Sequence, residues 1–151
     1  MAMKHHQRHL GRELALQWLF EIEMGHQPPE KVMAVVPQGI EELETIEEEG
    51  VAYAQELARG VRANTQQLDT IIVEFSKGWS LSRMAAIERN ILRLALYEIL
   101  HQSDVPSSVA ANEAVEIAKH YSTDESAKFV NGILGAYLRS DEGKKNMEGE
   151  S

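Results

Sequence analysis

Glu88-Arg89-Asn90-Ile91-Leu92-Arg93-Leu94-Ala95-Leu96-Tyr97-Glu98 is the stretch of sequence that decides the fold. As a helix, it places apolar side chains on nearly every side, apart from a stripe formed by Arg89, Arg93 and Tyr97 at a spacing of four. A helix that is apolar almost all round is packed by several neighbours. We therefore predict a central helix over residues 87–101.

The sequence on both sides of this stretch also repeats apolar residues at helical spacing, and no sustained alternation of the strand type occurs. We predict an all-α fold of about seven helices in two packed helical bundles. The two bundles are expected over residues 8–76 and 79–139, within a single domain over residues 1–140. Residues 141–151 are polar and are predicted to form a disordered tail.

Several helix boundaries follow from the same pattern. A first helix is predicted over residues 8–24, closed by Gly25, and a long one over residues 51–76. Gly60 lies inside the long helix and is expected to weaken or bend it. A short helix is predicted over residues 79–86, just before the central one.

Two polar runs lie between these apolar segments. Residues 41–49 are mostly glutamate but include Leu43 and Ile46, and we interpret them as the solvated face of a helix with a narrow apolar stripe. Ser122-Thr123-Asp124-Glu125 has the Ser-x-x-Glu form of a capping box, which predicts the start of the last helix.

Composition and charge exclude several classes of protein. The 151 residues include no cysteine, which removes disulfides, thiolate metal sites and a cysteine nucleophile. No signal peptide or run of about 20 apolar residues is present, so no membrane association and a cytoplasmic location are expected. The net charge of −9 argues against tight non-specific binding to nucleic acid, although the basic start of the chain allows a local phosphate contact.

Motifs for catalysis and cofactor binding are missing from the sequence. It has neither common phosphate-binding glycine loop, no His-Glu-x-x-His and no Gly-x-Ser-x-Gly, so neither an enzyme nor a cofactor is expected. His5, His9 and Glu13 follow one another at a spacing of four and would share one helix face as candidate metal ligands. Because a fourth ligand and supporting contacts are not evident, we predict no physiological metal site.

Cations near the start of the chain form a second candidate site. Lys4, Arg8 and Arg12 have a spacing of four, which predicts a basic stripe on the first helix. Trp18 or Phe20 would offer a ring on which an unpaired base stacks. The alternative interpretation is that both rings belong to the core and that the cations are merely solvated.

Three blocks of the C-terminal half, together with the first helix, resemble the NusB family of transcription antitermination factors. The first block is residues 88–98. The second is Asp104-Val105-Pro106 followed by Val109 and by Asn112-Glu113-Ala114-Val115-Glu116-Ile117-Ala118-Lys119. The third is Glu125-Ser126-Ala127-Lys128-Phe129-Val130-Asn131-Gly132-Ile133-Leu134. Arg12-Glu13 with Ala15, Gln17, Leu19 and Phe20 is similar to the family's first helix. The resemblance covers residues 8–138.

This resemblance implies a function that periodicity does not show. It implies an all-helical fold of two subdomains that binds the boxA segment of ribosomal RNA leader transcripts. Binding is shared with NusE, a small-subunit ribosomal protein, and the pair joins an RNA polymerase antitermination complex. No reaction is catalysed.

The resemblance and the basic stripe together identify candidate site residues. The expected RNA-binding residues are Lys4, Arg8, His9, Arg12, Phe20, Glu125, Lys128 and Phe129. The expected contacts to the protein partner are Glu88 and Arg93. Because His9 and Leu10 stand where family members often have arginines, we expect the isolated chain to bind RNA weakly.

Other functions remain as alternatives. The leading one is a protein-binding or homodimerising helical module without RNA recognition, which the acidic body and the loss of arginines favour. A third is the NusB-like domain of a ribosomal RNA methyltransferase, for which the chain is too short to hold the catalytic domain. A helix-turn-helix DNA-binding protein is disfavoured because no basic recognition helix follows a short turn.

Overall fold

The structure is a computed structural model that describes residues 3–25 and 27–148. These residues contain eight α-helices and two short 3-10 helices, and none of the described helices is long and apolar enough to cross a membrane. The α-helices are α1 (His5–Met24), α2 (Pro29–Val32), α3 (Glu48–Ala63), α4 (Thr65–Phe75), α5 (Ala86–His101), α6 (Ser107–Tyr121), α7 (Asp124–Arg139) and α8 (Asp141–Glu148). The 3-10 helices are Glu41–Leu43 and Leu81–Arg83.

Helix α5 is the centre of the molecule. It packs against α1, α3, α4, α6 and α7, while α1 pairs with α3 and α6 with α7. Leu92 and Leu96 on α5 are completely buried, and the buried apolar side chains of all these helices form one core. The all-α prediction and the central helix are therefore confirmed.

The start and end of α1 follow from local contacts. The helix begins at His5, three residues before the predicted start, and ends where Gly25 takes a left-handed φ of 76° and donates its N–H to the Ile22 carbonyl. Trp18 is completely buried, and its indole N–H donates to the Val35 carbonyl at 2.9 Å. Trp18 is therefore a core residue and is not available for base stacking.

The long helix predicted over residues 51–76 is in fact two helices. Asn64 leaves the helical region with φ −119° and ψ 17°, and its side-chain amide donates to the Gly60 carbonyl at 2.8 Å. Thr65 donates its hydroxyl to the Val61 carbonyl in the same way. These side chains satisfy carbonyls at the end of α3, which stabilises the break and lets α4 begin at Thr65.

The acidic run of residues 41–49 does not form one helix. Its start is the 3-10 helix Glu41–Leu43, and α3 begins only at Glu48. The buried side chain of Gln7 on α1 holds the segment between them, because its amide donates to the Thr45 carbonyl at 3.2 Å and accepts from the Glu47 N–H at 2.8 Å. These tertiary hydrogen bonds favour an irregular path over a helix.

Two further boundaries differ from the predictions. In the segment where a short helix is predicted over residues 79–86, Leu81–Arg83 forms a 3-10 helix and Ala86 is already the first residue of α5. The predicted disordered tail contains α8, whose first turn is capped by the Ser140 hydroxyl, which accepts from the Gly143 N–H at 3.1 Å. Asp141 and Glu142 in that turn add favourable charge at the helix N-terminus. Residues 149–151 of the predicted tail lie outside the described residues.

Gly60 permits a close approach between α3 and α5. A Cβ at Gly60 would lie 2.1 Å from Cζ of Tyr97, whose ring is stacked on His101 with a centroid distance of 5.0 Å. A Cβ at Gly132 on α7 would meet no atom within 4 Å, and that residue is exposed.

We expect Gly60→Ala to lower the free energy of unfolding by about 1–3 kcal/mol, because the added methyl group must displace the Tyr97 ring. The matched substitution Gly132→Ala should raise it by about 0.5–1 kcal/mol, since alanine favours the helix and has open space there. Urea denaturation followed by circular dichroism measures both. Equal effects of the two substitutions would contradict the close packing at Gly60.

Candidate nucleic-acid interface

The first half of α1 carries the cations predicted to bind phosphate, but carboxylates already surround them. Arg8 lies 2.5 Å from Asp104, and its guanidinium is 5.4 Å from the centre of the Tyr53 ring. Lys4 is exposed, and its ammonium group is 4.0 Å from the Glu47 carboxylate. The start of the chain is therefore basic in sequence but largely neutralised in the folded protein.

Arg12 is an interior residue, which corrects the prediction that it lies on an RNA-binding surface. Its side chain is 3% exposed, and Nε donates to Oε1 of Glu98 at 2.7 Å. The Tyr53 hydroxyl donates to the other oxygen of the same carboxylate. Burial is the largest single influence and lowers the pKa of Arg12, but the hydrogen bond to Glu98 and the negative charges around the guanidinium together raise that pKa overall. Arg12 thus remains charged and joins α1 to α5.

His9 is held by α6 rather than presented to solvent. Its Nδ1 lies 2.6 Å from Oε2 of Glu113, and this hydrogen bond raises the pKa of His9 above 6.5. The same hydrogen bond lowers the pKa of Glu113 below 4.5. Leu10, the neighbouring departure from the family pattern, is 2% exposed and belongs to the core.

The candidate metal ligands do not converge. His9 Nε2 is 3.7 Å from the Glu13 carboxylate, whereas His5 Nε2 is 3.9 Å from Glu113 on α6. Across residues 3–25 and 27–148, no group of three or more histidine, aspartate or glutamate side chains is arranged to hold a metal ion.

A second part of the surface combines aromatic rings with cations. It is an open groove between the start of α5, the start of α7 and the segment that precedes α5, and we call it the aromatic groove. Its volume is about 430 Å³. The residues that line it are Trp79, Arg83, Met84, Glu88, Thr123, Glu125, Ser126, Lys128 and Phe129.

A tight turn after α4 presents Trp79 to solvent. Lys77 and Gly78 both have positive φ, 54° and 92°, and the Ser76 hydroxyl donates to the Trp79 carbonyl at 2.7 Å. The Trp79 side chain is 49% exposed, and its ring lies 6.2 Å from that of Phe129 at an interplanar angle of 74°. The two rings are therefore nearly perpendicular and can contact the face and the edge of the same base.

Hydrogen bonds at the start of α7 fix the opposite wall of the aromatic groove. Thr123, rather than the predicted Ser122, is the cap, and its hydroxyl accepts from the Ser126 N–H at 3.0 Å. The Ser126 hydroxyl donates to Glu88 on α5 at 2.5 Å. Glu88 therefore connects the first turns of α5 and α7.

The cations of the aromatic groove are free to meet an anionic ligand. Arg83 and Lys128 are exposed, and no carboxylate lies within ion-pairing distance of either in the described part of the chain. Glu125 is also exposed, in the first turn of α7. Stacking surfaces beside unpaired cations are the features that bind single-stranded nucleic acid.

The structure divides the residues predicted to bind RNA into separate regions. Glu125, Lys128 and Phe129 come together in the aromatic groove, whereas Lys4, Arg8 and His9 contact residues in or near α3 and α6. Phe20 is 36% exposed near the end of α1.

Trp79 and Arg83 were not identified from the sequence as site residues. The sequence predicts a short helix for their segment and gives no sign that either side chain faces a groove. The sequence feature that could have identified Trp79 is Lys77-Gly78, because the glycine interrupts the helical pattern directly before an aromatic residue.

Arg93, a predicted partner contact, is engaged within the chain. Its guanidinium donates to Asp69 on α4 at 2.7 and 2.9 Å and to Glu23 on α1 at 3.4 Å. Arg89 also donates to Glu23, at 2.6 Å. Arg93 therefore stabilises the packing of α5 on α1 and α4.

Comparison with known proteins gives consistent matches over nearly the whole chain. A model of the NusB family matches residues 9–139. A transcription antitermination protein NusB from Symbiobacterium thermophilum is 43% identical over 140 residues, which cover 90% of this chain and 92% of that protein.

Solved structures give the same result. NusB of T. maritima has a TM-score of 0.80 and 32% identity, covering 97% of this chain and 99% of that chain. A chain from a structure of the antitermination factors NusB and NusE in complex with dsRNA has a TM-score of 0.75 and 25% identity, covering 88% of this chain and 96% of that chain.

We expect Arg12→Met to lower the free energy of unfolding by about 3–5 kcal/mol, because it leaves the Glu98 carboxylate buried without its cation. The double variant Arg12→Met/Glu98→Met should recover part of the loss, since neither charge then remains. Arg62→Met at an exposed position of α3 is the control. Urea denaturation measures the free energy of unfolding of each variant. If Arg12→Met lowers it no more than the control does, the ion pair is not important for stability.

The ion pair of His9 and Glu113 should stabilise the protein in a limited pH range. A raised His9 pKa gives stability that is present below pH 6.5 and is lost as the pH rises through the folded value. A lowered Glu113 pKa gives stability that is present above pH 4.5 and is lost as the pH falls through the folded value.

We therefore predict that His9→Gln costs more stability at about pH 5.5 than at about pH 8.5. Chemical denaturation at both pH values measures the difference, and His6→Gln at an exposed position of α1 is the matched control. If the His9 substitution costs the same at both pH values, the ion pair contributes nothing to folding.

Proposed function

This chain belongs to the NusB family, and we propose that it acts as a transcription antitermination factor that binds boxA-type RNA of ribosomal RNA leader transcripts together with NusE. The matched relatives are named transcription antitermination proteins, and a structural neighbour contains NusB with NusE and dsRNA. The aromatic groove is the observation in this chain that carries the proposal.

Recognition in the aromatic groove rests on stacking and phosphate pairing. Trp79 and Phe129 offer ring faces for bases that are not stacked in a duplex, and such contacts contribute about 1–3 kcal/mol per base. Arg83 and Lys128 are unpaired cations beside the rings and are placed to meet the RNA backbone. Glu125 is exposed and adds a carboxylate that can accept hydrogen bonds from base edges.

The cations of α1 have a smaller role in this proposal than the sequence suggested. Lys4 is exposed and close only to Glu47 at 4.0 Å, so it remains a proposed phosphate contact. Arg8 and His9 would have to give up their contacts to Asp104 and Glu113 to bind phosphate, which reduces their net contribution to the free energy of RNA binding. Arg12 does not contact RNA in this proposal, and its role is to hold α1 in place.

We propose that the ribosomal protein binds next to the aromatic groove, at the surface of α5 and the end of α1. Glu88 lines the groove and bonds to Ser126, so a contact there would lie beside the RNA. Phe20, which the sequence predicts to bind RNA, is the exposed ring of that part of α1, and we propose that it contacts the ribosomal protein instead. Arg93 organises this surface through Asp69 and Glu23 rather than reaching across it.

The proposed factor catalyses no reaction and acts through assembly. It joins RNA and the ribosomal protein to an RNA polymerase complex that resists termination. Because that complex assembles on nascent RNA, the proposed site of action is the cytoplasm. The second candidate function is a helical module that binds a protein or a second copy of itself without RNA. The neutralisation of Arg8 and His9 by carboxylates favours this alternative.

We expect Trp79→Ala and Phe129→Ala each to weaken the binding of a boxA RNA oligonucleotide by about 5- to 150-fold, because each removes one stacking surface. Lys128→Gln should weaken binding and reduce the slope of log K against log salt by about 0.7, the value for one phosphate contact to a single strand. Fluorescence anisotropy at two salt concentrations measures both effects.

The control for these variants is Lys31→Gln, on α2 in the N-terminal half, which should leave RNA affinity unchanged. The wild-type chain should bind weakly alone and more tightly with NusE, since Arg8 and His9 are already paired. If none of the three groove substitutions changes the RNA affinity, the aromatic groove is not the RNA-binding site. Partner binding without any RNA binding would support the second candidate.

A further inference from the structure

A second groove lies on the N-terminal half of the molecule, between α3 and the segment that precedes it, and we call it the acidic groove. Its volume is about 490 Å³. The residues that line it are Val36, Leu43, Glu44, Ile46, Glu47, Glu48, Val51, Ala52 and Gln55. It shares no lining residue with the aromatic groove.

The floor of the acidic groove is apolar. Leu43 is buried, while Val36, Ile46 and Val51 are only partly buried and retain surface that faces the opening. Ala52 is exposed on α3 at the same place. Partly exposed aliphatic side chains gathered in a concave site gain free energy when an apolar side chain covers them.

The rim of the acidic groove carries negative charge. Glu44, Glu47 and Glu48 are exposed around the opening, and only Glu47 among them has a cation nearby in the described part of the chain, the Lys4 ammonium at 4.0 Å. Residues 30–56 contain eight glutamates and one lysine. The start of α3 explains Glu48, because a helix N-terminus stabilises an acidic side chain. It does not explain Glu44, which lies outside the α-helices. The negative charge of the rim repels nucleic acid and attracts a basic partner.

Hydrogen bonds to buried side chains hold the walls of the acidic groove. Gln7 bonds to both the Thr45 carbonyl and the Glu47 N–H, and Trp18 donates to the Val35 carbonyl. Gln55 on α3 donates to the Met33 carbonyl at 3.2 Å, across the groove from its own helix. A groove with fixed walls binds a partner without first ordering its own backbone.

We propose that the acidic groove docks a basic segment of a partner protein, in which apolar side chains are flanked by lysine or arginine. The apolar side chains cover the floor at Val36, Ile46 and Val51, while the flanking cations pair with the rim glutamates. Because the two grooves are separate, one chain can hold RNA in the first and a basic protein segment in the second. The proposal does not depend on RNA binding.

The test uses a fluorescein-labelled 14-residue peptide with two leucines one helical turn apart and lysines on both sides. A second peptide has serine in place of both leucines and the same charge. We expect the leucine peptide to bind the full chain at least about tenfold more tightly, because only it covers the apolar floor. Amide shifts in ¹H–¹⁵N spectra should cluster at residues 43–55.

Two variants of the chain test the rim and the floor separately. Glu44→Gln/Glu47→Gln/Glu48→Gln should weaken binding about fivefold or more, since three charges are lost at constant shape. The control Glu21→Gln/Glu74→Gln/Glu142→Gln removes the same charge from exposed positions elsewhere and should change affinity less than twofold. Ala52→Arg places a cation in the opening and should abolish binding while the helical spectrum is retained.

Several results would overturn the proposal. Binding of the serine peptide within twofold of the leucine peptide would show that only diffuse charge attraction operates. The proposal is also wrong if the control variant weakens binding as much as the rim variant. It is equally wrong if the amide shifts lie away from residues 43–55 or if no saturable binding occurs. If the chain forms a dimer that Ala52→Arg dissociates, the occupant of the acidic groove is a second copy rather than a basic partner.

Discussion

A buried ion pair between Arg12 on α1 and Glu98 on α5 sets the relative position of the helices around it. Removing a guanidinium and a carboxylate from water is costly, and attraction repays that cost only when the geometry is good and the remaining polar atoms are satisfied. The Tyr53 hydroxyl on α3 completes the carboxylate's hydrogen bonds, whereas Nη1 of Arg12 makes no hydrogen bond and has only the charge of Glu113 on α6, 3.8 Å away. Four helices therefore meet at one polar cluster inside an apolar core.

That cluster decides how charge is distributed over the surface. With α1 fixed, Arg8 and His9 point at Asp104 and Glu113, so the basic start of the chain is neutralised from within. Unpaired cations remain beside exposed rings at the aromatic groove, where α5 and α7 begin. The opposite charge accumulates at the acidic groove. The chain thus has two chemically different surfaces, although its composition indicates only a net negative charge.

Periodicity predicted most of the fold because it reports which side chains are buried. The central helix, predicted over residues 87–101, is observed as Ala86–His101, since its apolar pattern is long and regular. The break at Asn64 was missed because it depends on a hydrogen bond from one side chain to the Gly60 carbonyl. Arg12 was misplaced for a related reason. Its partner is 86 residues away, and local sequence cannot distinguish a buried cation from a solvated one.

The two tryptophans of the chain occupy very different environments. Trp18 is enclosed in the core, while the turn after α4 exposes half of Trp79 at the edge of the aromatic groove. Indole emission shifts to longer wavelength as water surrounds the ring, so the two side chains contribute at different ends of the same spectrum. Unfolding brings the Trp18 ring into water, whereas a ligand in the aromatic groove would cover the Trp79 ring. The protein therefore carries an intrinsic optical signal that separates ligand occupancy from loss of structure.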